Sequence, residues 1–195
     1  MVGSEANTLK MLNTYNLFST LLDADGMIQS HDPVHQKRRY DYSGLSVLLG
    51  KMFENELTYS IVQQMRQCIK IPMPQYYCKY CQGKNSVVER NNLKADLNQC
   101  KYGKYKPVSI GDAKVAYDIL KNKPNEQNGP SLTTLDSKSE KLWEKLKEGR
   151  NDAAHTSLVT SEDFIGTYKL FSRFLANGFF SQLVQIKRQL WENVK

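Results

Sequence analysis

The stretch of sequence that decides the fold is residues 43–69, SGLSVLLGKMFENELTYSIVQQMRQCI. Its apolar side chains recur at steps of three and four and form one continuous stripe, which is the pattern of an amphipathic α-helix. Prolines at positions 72 and 74 end the pattern, because proline cannot continue a helix. We therefore predict a long helix over Ser43–Ile69. The stripe consists of Leu45, Leu48, Leu49, Met52, Phe53, Leu57, Ile61, Val62 and Met65.

Helical patterns also lie on both sides of this segment. Ser109, with Asp112 three residues later, predicts a capped helix start, and Gly149 occupies the place of a helix C-cap. Asn177 and Gly178 interrupt the last helical run, where they predict a kink or a split. The additional helices are predicted over about Thr8–Leu22, Ser109–Lys121, Ser137–Glu148 and a run of about 30 residues that begins at Thr160 or Ser161.

Residues 72–108 differ from the rest in composition, and we call them the insert. Residues 61–107 carry nine of the 27 Lys and Arg residues but only two of the 20 Asp and Glu residues, so the formal net charge of +7 resides in this region. Five of the eleven tyrosines lie there too. The insert is irregular, with room for one short helix near Val87–Gln99. We predict a single all-α domain over residues 1–195, a bundle of about five helices with the basic insert between its second and third helices.

Length and composition exclude several classes of protein. A chain of 195 residues with 40% hydrophobic and 24% charged residues is typical of a single globular domain and not of a disordered or collagen-like chain. No apolar run is long enough to span a bilayer, and the N-terminus lacks the pattern of a secretory signal. Four cysteines do not make a disulfide scaffold, so we expect a reducing cytoplasm.

The sequence Arg150-Asn151-Asp152-Ala153-Ala154-His155 follows the fourth predicted helix. Histidine can take and give a proton near neutral pH, and arginine forks onto phosphate oxygens. The pair therefore suits cleavage of RNA, with His155 deprotonating a ribose 2′-hydroxyl and Arg150 stabilising the charge that builds on phosphorus. No metal or other cofactor is needed, because the nucleophile belongs to the substrate. Residues five apart on a helix differ by about 140°, so we expect Gly149 to release the chain and let both side chains converge.

This motif, between the last two helices of a helical bundle, resembles the R-x4–6-H motif of the HEPN superfamily. The resemblance covers the helical core, roughly Ser43–Ile69 and Ser109–Lys195, and leaves the insert unexplained. It implies a homodimer whose motifs line a shared cleft, with metal-independent endoribonuclease activity that usually leaves cyclic phosphate ends. It also implies a role in toxin–antitoxin, abortive-infection or CRISPR-associated defence. The residues carried over are Arg150 and His155 as the catalytic pair, with Asn151 and Asp152 as supporting residues.

The insert is the candidate RNA-binding surface, because a basic segment interleaved with aromatic rings suits a polyanion with stackable bases. A solvated basic surface is the alternative for this feature. The candidate RNA-binding residues are Lys79, Lys84, Arg90, Lys101, Lys104, Lys106, Tyr102 and Tyr105.

The insert also carries a C-x2-C pair, Cys78 and Cys81, followed by Cys100. These residues make half of a zinc site plus one ligand, with Cys68 as a conceivable fourth. Cys68 lies on the apolar long helix, where packing is the expected role, so we favour reduced thiols and no metal. Glu54 and Glu56 of the same helix are candidates for an acidic residue beside the cleft.

Two functions of another kind stay open. The chain can be a non-catalytic helical module that binds nucleic acid through the insert. It can also be a dimerisation or interaction partner for a nucleotidyltransferase, an antitoxin or another component of a defence system. Some HEPN members lack activity, and a fold alone does not guarantee cleavage.

Overall fold

The computed structural model describes Asn13 and residues 42–70, 87–97, 100–101, 104–105, 108–122, 132–155 and 159–192. For residues 100–101, 104–105, 149–155, 161 and 191 it describes the backbone alone. The helix predicted over Thr8–Leu22 lies outside the described residues, apart from Asn13.

The long helix α1 consists of three consecutive segments, an α-helix over Ser43–Leu57, a π-helical turn over Thr58–Val62 and an α-helix over Gln63–Cys68. The predicted long helix is confirmed. The π-helical turn was not predicted; such turns widen the helix by one residue and occur frequently at functional sites. The apolar stripe faces the core, where its most buried members are Leu49, Phe53, Leu57, Ile61, Val62 and Met65.

A β-hairpin opens the described part of the insert. Strands β1 (Val87–Arg90) and β2 (Leu93–Asp96) pair in antiparallel register. Asn91 and Asn92 between them have φ angles of 49° and 66°. Two positive φ angles in succession define a type I′ turn, whose twist matches that of the two strands, and asparagine tolerates this region better than most residues. The short helix predicted near Val87–Gln99 is therefore wrong.

A second, smaller hairpin pairs β3 (Cys100–Lys101) with β4 (Lys104–Tyr105). The first hairpin packs on the next helix, α2 (Ile110–Lys121). Val88 and Ala95, which face each other across this hairpin, are buried in the core. The insert is thus joined to the bundle through α2.

Side-chain caps fix the starts of α2 and of the following helix, α3 (Ser137–His155). The Ser109 hydroxyl accepts a hydrogen bond from the backbone N–H of Asp112 at 3.0 Å, which confirms the predicted cap. The Asp136 carboxylate accepts one from the backbone N–H of Ser139 at 2.8 Å. Each cap satisfies a backbone donor that has no partner within its own helix.

The last helical run is divided into α4 (Ser161–Ala176) and α5 (Phe179–Glu192). Thr160 and Asp163 form a reciprocal capping box at the start of α4, which confirms the helix start predicted near Thr160 or Ser161. Gly178 separates the two helices with a φ of 72°, a left-handed conformation that glycine adopts without strain. The predicted interruption is confirmed as a split.

The core centres on Phe53 of α1. Its ring contacts Trp143 of α3 edge-on, with centroids 6.5 Å apart. Helix α1 packs against all four other described helices and lies at the centre of the bundle. The all-α bundle with an insert after the long helix is therefore confirmed. The remaining rings around Phe53 come from α4 and α5 and are Phe171, Phe174, Phe179 and Phe180.

Candidate functional site

The Arg150–His155 motif forms the last turns of α3. Because this helix runs unbroken from Ser137 to His155, Gly149 lies inside it and is not its C-cap. The predicted end at Glu148 is therefore wrong. Helix α3 packs on both α1 and α4, and that packing outweighs the cost of a glycine in a helix, about 1 kcal/mol relative to alanine.

The unbroken helix places the two ends of the motif on different faces. Position 150 follows the fully buried Trp143 by seven residues and lies within about 20° of it around the helix axis. Position 155 follows the fully buried Leu146 by nine residues and lies about 180° from it. The expectation that Gly149 releases the chain from the helix is therefore wrong, and the backbone places positions 150 and 155 on different faces of α3. Position 150 continues the core-facing stripe, and position 155 lies on the opposite face.

The first turn of α1 lies beside the chain that follows the motif. The backbone N–H of Tyr42 donates to the carbonyl oxygen of Val159 at 3.0 Å, and the Tyr42 ring stacks on Phe164 with centroids 5.5 Å apart. Farther along α1, Phe53 contacts Trp143 of α3. Helices α1 and α3 therefore run antiparallel, and the start of α1 borders the motif.

Both glutamates considered as acidic site residues are ion-paired. Glu54 accepts from Lys51, three residues earlier, at 2.5 Å. The Glu56 carboxylate accepts from the Lys187 ammonium of α5 at 2.5 Å, with both side chains at most 3% exposed. Given the antiparallel register, the two glutamates lie roughly 10–15 Å from position 150 along the helix axis. Lys187 was not predicted, since no sequence pattern links residues 131 positions apart.

The candidate RNA-binding residues fall into three groups. Arg90 of β1 is described with its side chain, and its Nη1 donates to the carbonyl oxygen of Asn122, after α2, at 3.4 Å. Lys101, Lys104 and Tyr105 lie on β3 and β4, where the backbone alone is described. Outside the described residues lie Lys79, Lys84, Tyr102 and Lys106.

The cysteines give no assembled metal site in the described residues. Cys78 and Cys81 lie outside them, and Cys100 is on β3 with its backbone alone described. Cys68 is 5% exposed, and burial raises the pKa of its thiol, so its predicted packing in the core is confirmed. Within the ranges that the structure describes, no three His, Cys, Asp or Glu side chains are grouped to hold a metal ion.

A polar cleft of about 360 Å³ lies at the other end of α3, beside Asp136. The amide of Gln64 makes two hydrogen bonds to Thr133, of 2.7 and 3.1 Å, and Gln182 donates to Asp136 at 3.0 Å. Hydrogen bonds from the backbone N–H of Ser139 and from Gln182 lower the pKa of Asp136. None of the lining residues is basic, so the cleft does not suit a phosphate. The lining residues are Thr133, Thr134, Leu135, Asp136, Gln182, Gln185, Ile186 and Gln189.

The sequence did not predict this cleft, because its lining comes from two stretches that only the fold brings together. It lies at the start of α3, so the length of that helix separates it from His155 by roughly 28 Å. The cleft and the motif are thus separate features of the bundle.

Comparisons of the chain with protein-family models, with curated sequences and with solved structures find no match. The class that the described residues define is an all-α bundle built around α1, with a β-hairpin in its insert. Among these helices, none combines the length and the apolar character needed to cross a membrane.

Proposed function

We propose that this chain is a metal-independent endoribonuclease of the HEPN type that acts as a homodimer. The observation that carries the proposal is the position of Arg150, Asn151 and His155 on the last turns of α3, just before the final helices α4 and α5 of an all-α bundle. The HEPN resemblance implies this motif at this place in the chain. The start of α1 borders the same end of α3, since the backbone N–H of Tyr42 donates to the carbonyl oxygen of Val159 just after the motif.

The reaction needs a base, a proton donor and a group that stabilises negative charge. His155 takes the proton of the ribose 2′-hydroxyl, whose oxygen attacks the adjacent phosphorus. Arg150 binds the phosphate oxygens while the bond to the 5′-oxygen breaks, and that oxygen then receives a proton. The products are one RNA with a 2′,3′-cyclic phosphate and one with a free 5′-hydroxyl. Asn151 and Asp152 support this pair in the proposal.

A second copy of the chain completes the site. Positions 150 and 155 lie about 140° apart around α3, which separates the base from the guanidinium group within one copy. A two-fold dimer that places two α3 ends together brings Arg150 of one copy near His155 of the other and supplies the second proton carrier. The basic insert then holds the RNA, chiefly through phosphate contacts and stacking on tyrosine rings.

The decisive experiment compares the wild-type protein with His155→Ala on a synthetic RNA and on the same strand made as DNA. We expect wild-type cleavage of RNA alone, unchanged by EDTA, with 2′,3′-cyclic phosphate ends detected by mass spectrometry. His155→Ala should lower the rate by about 10²–10⁴-fold while keeping its circular dichroism spectrum. Lys145→Ala, on an exposed position of the same helix, is the matched control and should keep full activity. Cleavage of DNA, or full activity of His155→Ala, would overturn the proposal.

A non-catalytic binding module is the second candidate, and the unbroken α3 favours it because one copy separates Arg150 from His155. In this case the wild-type protein binds RNA, or a partner such as a nucleotidyltransferase or antitoxin, and cleaves nothing. Expression in a bacterial host separates the two functions. If the chain is a cytoplasmic toxin or phage-defence nuclease, the wild-type protein should arrest growth and the His155→Ala variant should not. If it is a binding module, both proteins should have the same effect on growth.

A further inference from the structure

The polar cleft beside Asp136 has two lining side chains whose orientation is fixed by hydrogen bonds. The amide of Gln64 donates to the hydroxyl oxygen of Thr133 at 2.7 Å and accepts from the Thr133 backbone N–H at 3.1 Å. The amide nitrogen of Gln182 donates to the Asp136 carboxylate at 3.0 Å. That carboxylate also accepts from the backbone N–H and the hydroxyl of Ser139. Thr133 and Gln182 are therefore held in place, which lowers the entropy cost of binding a ligand between them.

The same bonds determine which atoms remain for a ligand. Because the nitrogen of Gln182 is turned to the carboxylate, its carbonyl oxygen Oε1 remains as an acceptor. Because the hydroxyl oxygen of Thr133 already accepts from an amide, its own hydrogen remains as a donor. Gln185 and Gln189 line the cleft from exposed positions of α5 and add two amides that adapt to a ligand. The cleft thus offers one fixed acceptor, one fixed donor and two adjustable amides.

The shape and charge of the cleft restrict the class of ligand. Its volume of about 360 Å³ is near the lower end of the range for ligand sites, roughly 300–1,000 Å³, and suits a single ring system. Leu135 and Ile186, which are 5% and 1% exposed, give it an apolar floor. Since no lining residue is basic, a phosphate or carboxylate group is disfavoured. A flat, uncharged ring with donors and acceptors at its edge, such as a nucleobase, meets these conditions.

The charge of the chain and the side chains of the cleft narrow the choice to one base. A formal net charge of +7 favours association with a polyanion, whose phosphates give affinity and whose bases give specificity. Arginine and lysine pair best with guanine, aspartate and glutamate with the amino group of cytosine, and asparagine and glutamine with adenine. The cleft has three glutamines and no basic residue, and its one carboxylate is already engaged by Ser139 and Gln182. Its chemistry therefore matches adenine.

We propose that this cleft binds an unpaired adenine of single-stranded RNA. Gln182 Oε1 accepts a hydrogen bond from the amino group of the base, and the Thr133 hydroxyl donates to a ring nitrogen. The ring itself lies on Leu135 and Ile186. The base is unpaired, since Watson–Crick pairing would occupy the same edge. The inference rests on RNA being the substrate in the proposed function and adds a base preference to it. Because the cleft lies roughly 28 Å from His155, the bound adenine is not the base beside the scissile phosphate.

Binding of two matched strands tests the proposal without cleavage. Both are short 2′-O-methyl RNAs of uridines, one with a single central adenosine and the other with uridine at that place. Neither strand has the 2′-hydroxyl that the proposed reaction needs, so both stay intact. Fluorescence anisotropy should show that the wild-type protein binds the adenosine strand about tenfold more tightly. Equal affinity for the two strands, or no binding of either, would overturn the proposal.

Variants of the lining residues locate the preference. Gln182→Leu should weaken binding of the adenosine strand about tenfold and leave the uridine strand unchanged. Gln185→Leu, at an exposed position, repeats the test without disturbing the bond to Asp136 and should weaken binding of the adenosine strand several-fold. Gln67→Leu is the matched control, since this glutamine belongs to α1 and does not line the cleft, and it should keep the full preference. If both lining variants keep the preference, the cleft does not bind the base.

The measurement separates this proposal from the nuclease function. A wild-type protein that prefers the adenosine strand but cleaves no RNA would refute the nuclease function and leave the adenine site standing. A protein that cleaves RNA but binds both strands equally would refute the adenine site alone.

Discussion

Among single residues, Tyr117 shows how one buried hydroxyl connects distant parts of the chain through hydrogen bonds. Its hydroxyl oxygen accepts from the backbone N–H of Leu135 at 2.7 Å, and the hydroxyl donates to Glu140 at 3.2 Å. Burial raises the pKa of Tyr117 to about 12, and the negative charge of Glu140 adds to the rise. The hydroxyl therefore joins α2, the chain before α3, and α3 itself while it stays protonated.

The raised pKa of Tyr117 predicts a loss of stability in alkali. An unfolded tyrosine ionises near pH 10, whereas the folded one holds its proton to about pH 12, so the free energy of unfolding falls as pH rises between these values. Urea unfolding from pH 9 to 12 measures this fall. Tyr117→Phe should be less stable at pH 8 by about 1–3 kcal/mol, since Leu135 loses its acceptor, and should lack this alkaline fall. Parallel pH profiles for both proteins would contradict the assignment.

The buried ion pair of Glu56 and Lys187 makes a second prediction at this scale. Removing one partner leaves a buried charge without its counterion, so Glu56→Leu and Lys187→Met should each lower the free energy of unfolding by about 3–5 kcal/mol. The double variant Glu56→Leu/Lys187→Met removes both charges and should recover most of the loss. Chemical denaturation of the four proteins measures the cycle. Additive losses in the double variant would show that the two charges do not act as a pair.

At the scale of elements, the unbroken α3 predicts opposite effects for two glycines. Gly149 lies within the helix, so Gly149→Ala should raise stability by roughly 0.5–1 kcal/mol. Gly178 has a φ of 72° and no neighbour within 4 Å of an added Cβ, so Gly178→Ala meets open space but a strained backbone and should lower stability. Melting temperatures of both variants check the pair. A destabilised Gly149→Ala would indicate that α3 ends before the motif.

The elements that the sequence predicted are those whose signal is local and repeated. The stripe over Ser43–Ile69 spans many turns, and Thr160 with Asp163 is a self-contained cap. The first hairpin was missed because its strands have four residues each, and its signal is the Asn91-Asn92 turn. The helix end predicted at Gly149 was wrong because a C-cap glycine and a glycine inside a helix cannot be distinguished in the sequence. Packing on α1 and α4 decides between them, and packing is not visible in a local pattern.

For the molecule as a whole, the location of the candidate site could be predicted from the sequence, whereas its surroundings could not. Arg150 and His155 were found as a short motif, and the structure added that they lie on one helix. Lys187 could not be predicted as the partner of Glu56, since the two meet only through the packing of separate helices. A helical bundle brings residues that are far apart in the sequence to the same height along the bundle axis. The register between α1 and α3 determines which residues share a height.

The geometry of α3 leads to a final prediction about assembly. Because positions 150 and 155 lie about 140° apart, the proposed function predicts that a working site takes Arg150 from one copy and His155 from the other. Arg150→Ala and His155→Ala should each be inactive alone. Unfolding and refolding them together forms mixed dimers, in which one of the two sites has both residues intact and the other has neither.

With random pairing, half of the dimers are mixed and each has one intact Arg150–His155 pair, so the mixture should regain measurable activity of at most about a quarter of the wild-type rate, less if the second His155 is needed as proton carrier. Mixing His155→Ala with an Arg150→Ala/His155→Ala double variant is the matched control and should regain nothing. If each site instead draws both residues from one copy, the first mixture also stays inactive, since no chain in it carries the complete pair. The outcome therefore reports which copy supplies each residue, and regained activity is the result that the separation of positions 150 and 155 on α3 predicts.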